Sequence, residues 1–311
     1  MSKQWEEIMK TRRDLSFYLL HCTRRKEEDN LEAFDVLKKI LCDGFLKATF
    51  ARYTVYSTGE RRLAVRGPKP AVCFTEQPLK YFFETVRINK RYQKQRYTEF
   101  AIAVKKDLLF YYGGRPVIYT EDDVLLGRQL SREECENCDY PSDAWVYKGG
   151  LLPPDLQYLW VRYNPTALWD REHPVDFTHE REWRVCPCKT YNERLGLSNQ
   201  DTEIAKNAVP LQLPTQSELT ILGPKPFPKG PRFAILVDTE ESRRELINWR
   251  YGKTDEISQK GPYWERYASV LPQAPILSFE KINDAQDELT RLEEFINDDF
   301  TLKDFLYPEA F

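Results

Sequence analysis

The sequence predicts an α+β fold, a central mixed or antiparallel sheet with peripheral helices. Three observations predict it. Short apolar runs of strand length recur along the chain, at Phe17–Thr23, Ala71–Glu76, Phe100–Val104 and Phe233–Val237. Aromatic residues make up 14% of the chain and many lie in such runs, where a pleated, half-buried surface accommodates them best. Between the runs lie segments whose apolar residues return at helical spacing, such as Leu31, Phe34, Leu37, Ile40 and Leu41.

Taken in order, the first unit is the strand ending in His21-Cys22-Thr23, followed by the amphipathic helix, with Gly44 at its C-terminal cap position. An irregular stretch, Phe45–Val55, leads to the break at Gly67-Pro68-Lys69-Pro70. Ala71–Glu76 is a second strand, and Leu79–Tyr97 reads as a helix. A third strand covers Phe100–Val104, and Leu108–Tyr112 extends its apolar character. Gly113-Gly114-Arg115 reads as a hairpin turn into a strand at Pro116–Tyr119; it lacks the Lys-Ser/Thr and helix of a phosphate loop. Residues 121–144 are acidic and loop-like, and Leu156–Val161 reads as helical, with Asp155 as its cap. Later strands are expected up to about Pro187, at Leu219–Leu222 and at Phe233–Val237, and the last feeds a helix from Thr239. Residues 1–250 are expected to form one α+β catalytic-type domain, with residues 251–311 an acidic helical extension.

Composition bounds the function. With 311 residues, 41% hydrophobic and 31% charged, the chain reads as globular rather than disordered. No apolar run reaches the length of a membrane span, and Met1–Glu7 has no signal-peptide core, so the expectation is a cytoplasmic protein. Seven cysteines without an export signal read as mostly reduced thiols. The net charge of −3 excludes a globally basic nucleic-acid coat but not a local patch. The best such patch is Arg87, Lys90, Arg91 and Lys94, a stripe at helical spacing that is either a nucleic-acid groove or a solvated face. Cys135-x-x-Cys138 and Cys186-x-Cys188 carry four thiolates, but the second pair is one residue short of zinc-knuckle spacing, and no metal is assigned.

The densest chemistry lies in Glu180-Arg181-Glu182-Trp183-Arg184. Strand alternation puts Glu180, Glu182 and Arg184 on one side, with Arg181 and Trp183 on the other. Paired carboxylates beside guanidinium groups either lock two strands by ion pairs or form a site.

The ordered combination of His21-x-Thr23, the helix with Phe34, Leu37, Ile40, Leu41 and Gly44, and Val72–Leu79 is similar to the AbiGi family of abortive phage-resistance proteins. Gly114–Tyr119, Glu180–Arg184 and Ala234–Trp249 look like it too, so that the resemblance runs from roughly 17 to 250. The His, aromatic and Glu order more loosely resembles ADP-ribosyltransferases of the DarT-like and diphtheria-toxin-like kind. That second resemblance implies an ADP-ribosyltransferase-like fold and NAD as cofactor, with Glu182 the catalytic carboxylate and Glu180 and Arg184 its orienting neighbours. It further implies His21 and Thr23 at a ribose, Phe74 and Thr75 at the nicotinamide, and Arg66 at the pyrophosphate. Such an enzyme would cleave NAD and transfer ADP-ribose to a nucleic-acid or protein acceptor, or hydrolyse NAD outright. The antitoxin label of the AbiGi family implies instead a non-catalytic module that regulates a cognate toxin or phage-derived partner. A nuclease with a divalent cation on Glu180 and Glu182 is a third reading.

Overall fold

The computed structural model of the protein describes residues 18–49, 52–57, 60–65, 69–77, 79–91, 97–120, 125, 129–132, 145–161, 163, 178, 181–187, 208–211 and 233–284. Its strands are β1 (Tyr18–Cys22), β2 (Phe45–Lys47), β3 (Arg52–Ser57), β4 (Glu60–Val65), β5 (Val72–Thr75), β6 (Ala101–Lys105), β7 (Arg115–Pro116) and β8 (Ile118–Tyr119). They continue as β9 (Gln129–Arg132), β10 (Trp145–Lys148), β11 (Trp160–Val161), β12 (Glu182–Val185), β13 (Ala208–Pro210), β14 (Phe233–Val237) and β15 (Ile276–Ser278). The helices are α1 (Ala33–Asp43), α2 (Leu79–Arg91), α3 (Lys106–Tyr112), α4 (Glu240–Ser258), α5 (Pro262–Val270) and α6 (Phe279–Asp284).

Seven strands form one sheet in the order β15-β14-β6-β1-β5-β12-β7. The β14–β15 pair is parallel and the others are antiparallel, so the sheet is mixed, in agreement with the expected α+β class. Alternation along each strand divides its residues between two faces. Leu19, Ile102, Val104, Val72, Phe74, Val185 and Phe233 enter the larger core with residues of α1, α3, α4 and α5. Tyr18, Leu20, Ala101, Ala103, Ala234 and Leu236 face the other way, onto Phe82 and Val86 of α2. The alanines leave room there for the helix to lie close to the sheet.

The strand–helix start of the chain forms as its spacing predicts, and Gly44 caps α1 at φ 75. The cap is covered from far along the chain. Tyr263 Oη donates to the Gly44 carbonyl at 2.7 Å, Tyr267 Oη to the Leu41 carbonyl at 2.9 Å, and Trp264 Nε1 to the Asp43 carbonyl at 3.1 Å. These donors satisfy helix-end carbonyls that α1 cannot satisfy itself.

The fold therefore runs past residue 250, where the sequence reading placed the end of the domain: α5 fills the core and β15 extends the sheet. Three further expectations change. Lys106–Tyr112 is a helix, not a continuation of β6, and it closes on Gly113 at φ 111. Pro154–Leu159 makes a 3-10 turn before β11 rather than an α-helix. Phe45–Val55, read as irregular, carries β2 and the start of β3. Leu219–Leu222 and the tail from residue 285 lie outside the described residues.

Candidate functional site

β1, β5 and β12 are neighbours, so segments far apart in sequence meet at the centre of the sheet. β12 lies on β5 in register Glu182↔Thr75, Trp183↔Phe74, Arg184↔Cys73, Val185↔Val72. On the other side, β1 pairs with β5 through Leu20↔Thr75 alone. Beyond that pair the imidazole of His21 takes the place of ladder bonding: its Nδ1 lies 2.9 Å from the Cys73 carbonyl. A carbonyl only accepts, so Nδ1 carries the hydrogen and Nε2 is the acceptor. Burial lowers the pKa of this imidazole, with the nearby Arg24 acting in the same direction and the Cys73 carbonyl against both.

The register sorts the expected site residues into two rows. Leu20, Thr75 and Glu182 form one; the next carries Phe74 and Trp183, with His21 beside them, its ring centroid 5.6 Å from that of Phe74. Successive rows leave a sheet on opposite faces. His21, Phe74 and Glu182 therefore do not converge as three walls of one pocket. Phe74 is only 2% exposed, within the larger core, and its ring has no open face for a nicotinamide. Thr23 is buried, with its hydroxyl on the Ala33 and Phe100 carbonyls, and Thr75 is buried and accepts from the Gln77 amide. These two threonines close strand ends rather than face a ligand.

Glu182 and Arg184 form the site's polar centre, as i and i+2 on one face of β12. Arg184 is 4% exposed; its Nε donates to Glu182 Oε1 at 2.9 Å and its Nη2 to Glu182 Oε2 at 3.2 Å. Its Nη1 donates to the carbonyls of Tyr158 (2.6 Å) and Trp160 (3.1 Å). The guanidinium fork thus fixes the carboxylate and ties the 154–161 segment to β12. The Glu182 amide donates to Tyr119 Oη at 2.9 Å. Arg181, just before the strand, holds φ 43, a left-handed conformation that costs a residue with a side chain of order 1 kcal/mol or more. Cys73, opposite Arg184, is exposed, yet burial pushes its thiol up to about 12. Its thiol stays protonated at neutral pH and is no nucleophile.

Across the sheet, Glu76 is held by Lys106 Nζ at 2.5 Å and Trp183 Nε1 at 2.8 Å. Sequence reasoning missed this trio, and missed Tyr119 and the two carbonyls under Arg184. No spacing rule links residues 76, 106 and 183, which only the sheet order brings together. Glu180, Arg66 and Lys94 lie outside the described residues, as do Cys135, Cys138 and Cys188. Among the described residues, no group of three His, Cys, Asp or Glu side chains could hold a metal ion. Arg87, Lys90 and Arg91 of the basic stripe lie on the exposed side of α2, but Arg87 pairs with Glu84 (2.9 Å) and Lys90 with Glu99 (3.0 Å), which offsets much of their charge.

A model of one protein family, described as "Putative abortive phage resistance protein AbiGi, antitoxin", matches residues 44–212. The chain belongs to the AbiGi family. The matched span of this AbiGi chain covers more than half of its length and carries Cys73, Glu182 and Arg184, whereas His21 precedes it. No curated protein and no solved structure matches the chain. Among the described residues, no helix is long and apolar enough to cross a membrane.

Proposed function

We propose that this AbiGi chain serves phage defence as an NAD-cleaving ADP-ribosyltransferase or glycohydrolase, with Glu182 as its working acid. One observation carries the reading. Glu182 is presented at the start of β12 by a nearly buried guanidinium fork, directly after the left-handed Arg181 and on the strand face that also carries the exposed Cys73. Cleaving the nicotinamide–ribose bond develops positive charge on the sugar, and a carboxylate held in place before the reaction stabilises that charge. Arg184 orients the acid. His21 acts through the Cys73 carbonyl and is a positioning residue for β5, not a ligand for the sugar. Phe74 belongs to the core, and the nicotinamide would need another platform.

The test is release of nicotinamide from NAD, followed by chromatography. The wild-type chain should release it, and Glu182→Gln should slow release by on the order of 10²-fold. Equal turnover by the two proteins would remove Glu182 from the chemistry. A second reading rests on the family description, which ends on the word antitoxin. In that case the Glu182–Arg184 pair is a strand lock, the chain turns over no NAD, and it captures a cognate toxin stoichiometrically.

A further inference from the structure

We infer that Glu76 is a positioning residue for Glu182, holding the chain on both sides of that acid. For its chemical consequence the inference rests on Glu182 being the working acid; the geometry stands without it. Glu76 follows β5 directly and gives its own groups to the two residues that flank Glu182. Its backbone N–H donates to the Arg181 carbonyl at 3.1 Å, and its Oε2 accepts from Trp183 Nε1 at 2.8 Å. Lys106 Nζ, at the start of α3, donates to the remaining oxygen, Oε1, at 2.5 Å. Carboxylate and ammonium are both largely buried, with side chains 12% and 22% exposed.

A lock between α3 and the sheet would need only the Lys106 contact. The other two bonds fix places on which Glu182 depends. Arg181 holds φ 43, and a strained conformation of this kind persists only where its surroundings over-determine it. Its N–H is tied to the Thr178 carbonyl at 3.1 Å and its own carbonyl to Glu76. On the other flank, Trp183 packs partly buried against the larger core, and the bond to Glu76 fixes its indole there. Between them, Glu182 gives its N–H to Tyr119 Oη at 2.9 Å and accepts the Val117 N–H on its carbonyl at 3.0 Å. The backbone polar groups of residues 181 and 182 are thus all engaged, and the Glu182 side chain leaves the strand in a set direction. Strand alternation puts Trp183 and Glu182 on opposite faces, so Glu76 acts on the backbone and Arg184 on the carboxylate.

A carboxylate that stabilises developing charge works best where it is held before the reaction, and a misplacement of about 1 Å can cost on the order of 10²-fold in rate. Loss of the Glu76 clamp should therefore show in kcat rather than in KM.

The test uses the full chain and three variants, Glu76→Ala, Trp183→Phe and Glu76→Gln. Amide hydrogen exchange, read by mass spectrometry, reports the strand. Peptides over residues 181–185 should exchange several-fold faster in Glu76→Ala and Trp183→Phe, with the protection of β1 and β6 unchanged. Nicotinamide release from NAD reports the acid: those two variants should lose about 10-fold or more in kcat per folded molecule, at nearly constant KM. Glu76→Gln keeps an oxygen for Trp183 Nε1 and loses only the charge facing Lys106, so it should recover most of both. A merely structural loss would lower the folded fraction and leave kcat per folded molecule unchanged, and that result would overturn the inference. Exchange over 181–185 indifferent to all three changes would overturn it too. Should Glu76→Ala fail to fold, Trp183→Phe against Glu76→Gln is the comparison, with the same two outcomes. A wild type that releases no nicotinamide sinks the NAD reading by itself. Faster exchange over 181–185 in Trp183→Phe then still supports the clamp, and unchanged exchange overturns it.

Discussion

Arg184 is nearly buried and gives its Nε, Nη1 and Nη2 groups to Glu182 and to the carbonyls of Tyr158 and Trp160. Arg184→Ala removes the fork from a largely buried carboxylate and a buried cation from under two carbonyls, and should cost about 3 kcal/mol or more, read as a shift of the denaturation midpoint at unchanged slope. Arg184→Lys keeps the charge but loses the fork, so it should recover only part of that loss. A full recovery would show that charge alone, not the planar geometry, holds Glu182. His21 carries the pH prediction. Its pKa is lowered from 6.5 in the folded state, mainly by burial, so below about pH 6.5 the unfolded chain binds the proton more readily than the folded one. Stability contributed by the neutral imidazole is present above that value and is lost as pH falls from it towards the folded-state pKa. Thermal melts between pH 7.5 and 5 should show a decline that His21→Asn makes shallower. An equally steep decline in the variant would mean that other groups account for it.

The helix α1 and its cap are the element most exposed to a single change. Gly44 sits at φ 75, and a Cβ there would come within 3.2 Å of Tyr267 Cδ1 and 3.3 Å of Tyr263 Cε1. Both rings are fully buried and donate to the end of α1, so they have little room to retreat. Gly44→Ala should therefore destabilise the protein by about 1–3 kcal/mol, through a strained backbone and displaced donors together. Thermal denaturation measures it, and a change within error would mean that the tyrosines shift freely. The glycine itself was legible as a cap from its place after Leu41. The tyrosines were not, because some 220 residues separate donor from acceptor.

At the scale of the whole molecule, the span matched to the AbiGi family does not enclose a complete sheet. Residues 44–212 supply β5, β6, β7 and β12, but β1 lies between β6 and β5, and β14 pairs with β6 from beyond residue 212. Without β1, two strands of the centre lose their shared partner, and Val104, Ile102 and Phe74 lose the side chains they pack on. A fragment of residues 44–212 should thus show no cooperative thermal transition by circular dichroism, whereas residues 1–284 should unfold cooperatively. A cooperative transition in the short fragment would mean that the sheet closes in another order.

Legible in the sequence were the α+β class, the opening strand–helix unit, the Gly44 cap and the placement of Glu182 and Arg184 on one strand face. Each of these is written in local periodicity or in neighbouring residues. Only the tertiary structure decided which face each residue takes. A strand reverses its faces with every residue, so the register Leu20↔Thr75↔Glu182 alone set Glu182 apart from Phe74 and His21. It decided also that Phe74 is core, that Glu76 meets Lys106 and Trp183, and that residues 251–284 belong to the fold. Those facts depend on strand order and long-range packing, which no spacing along the chain records.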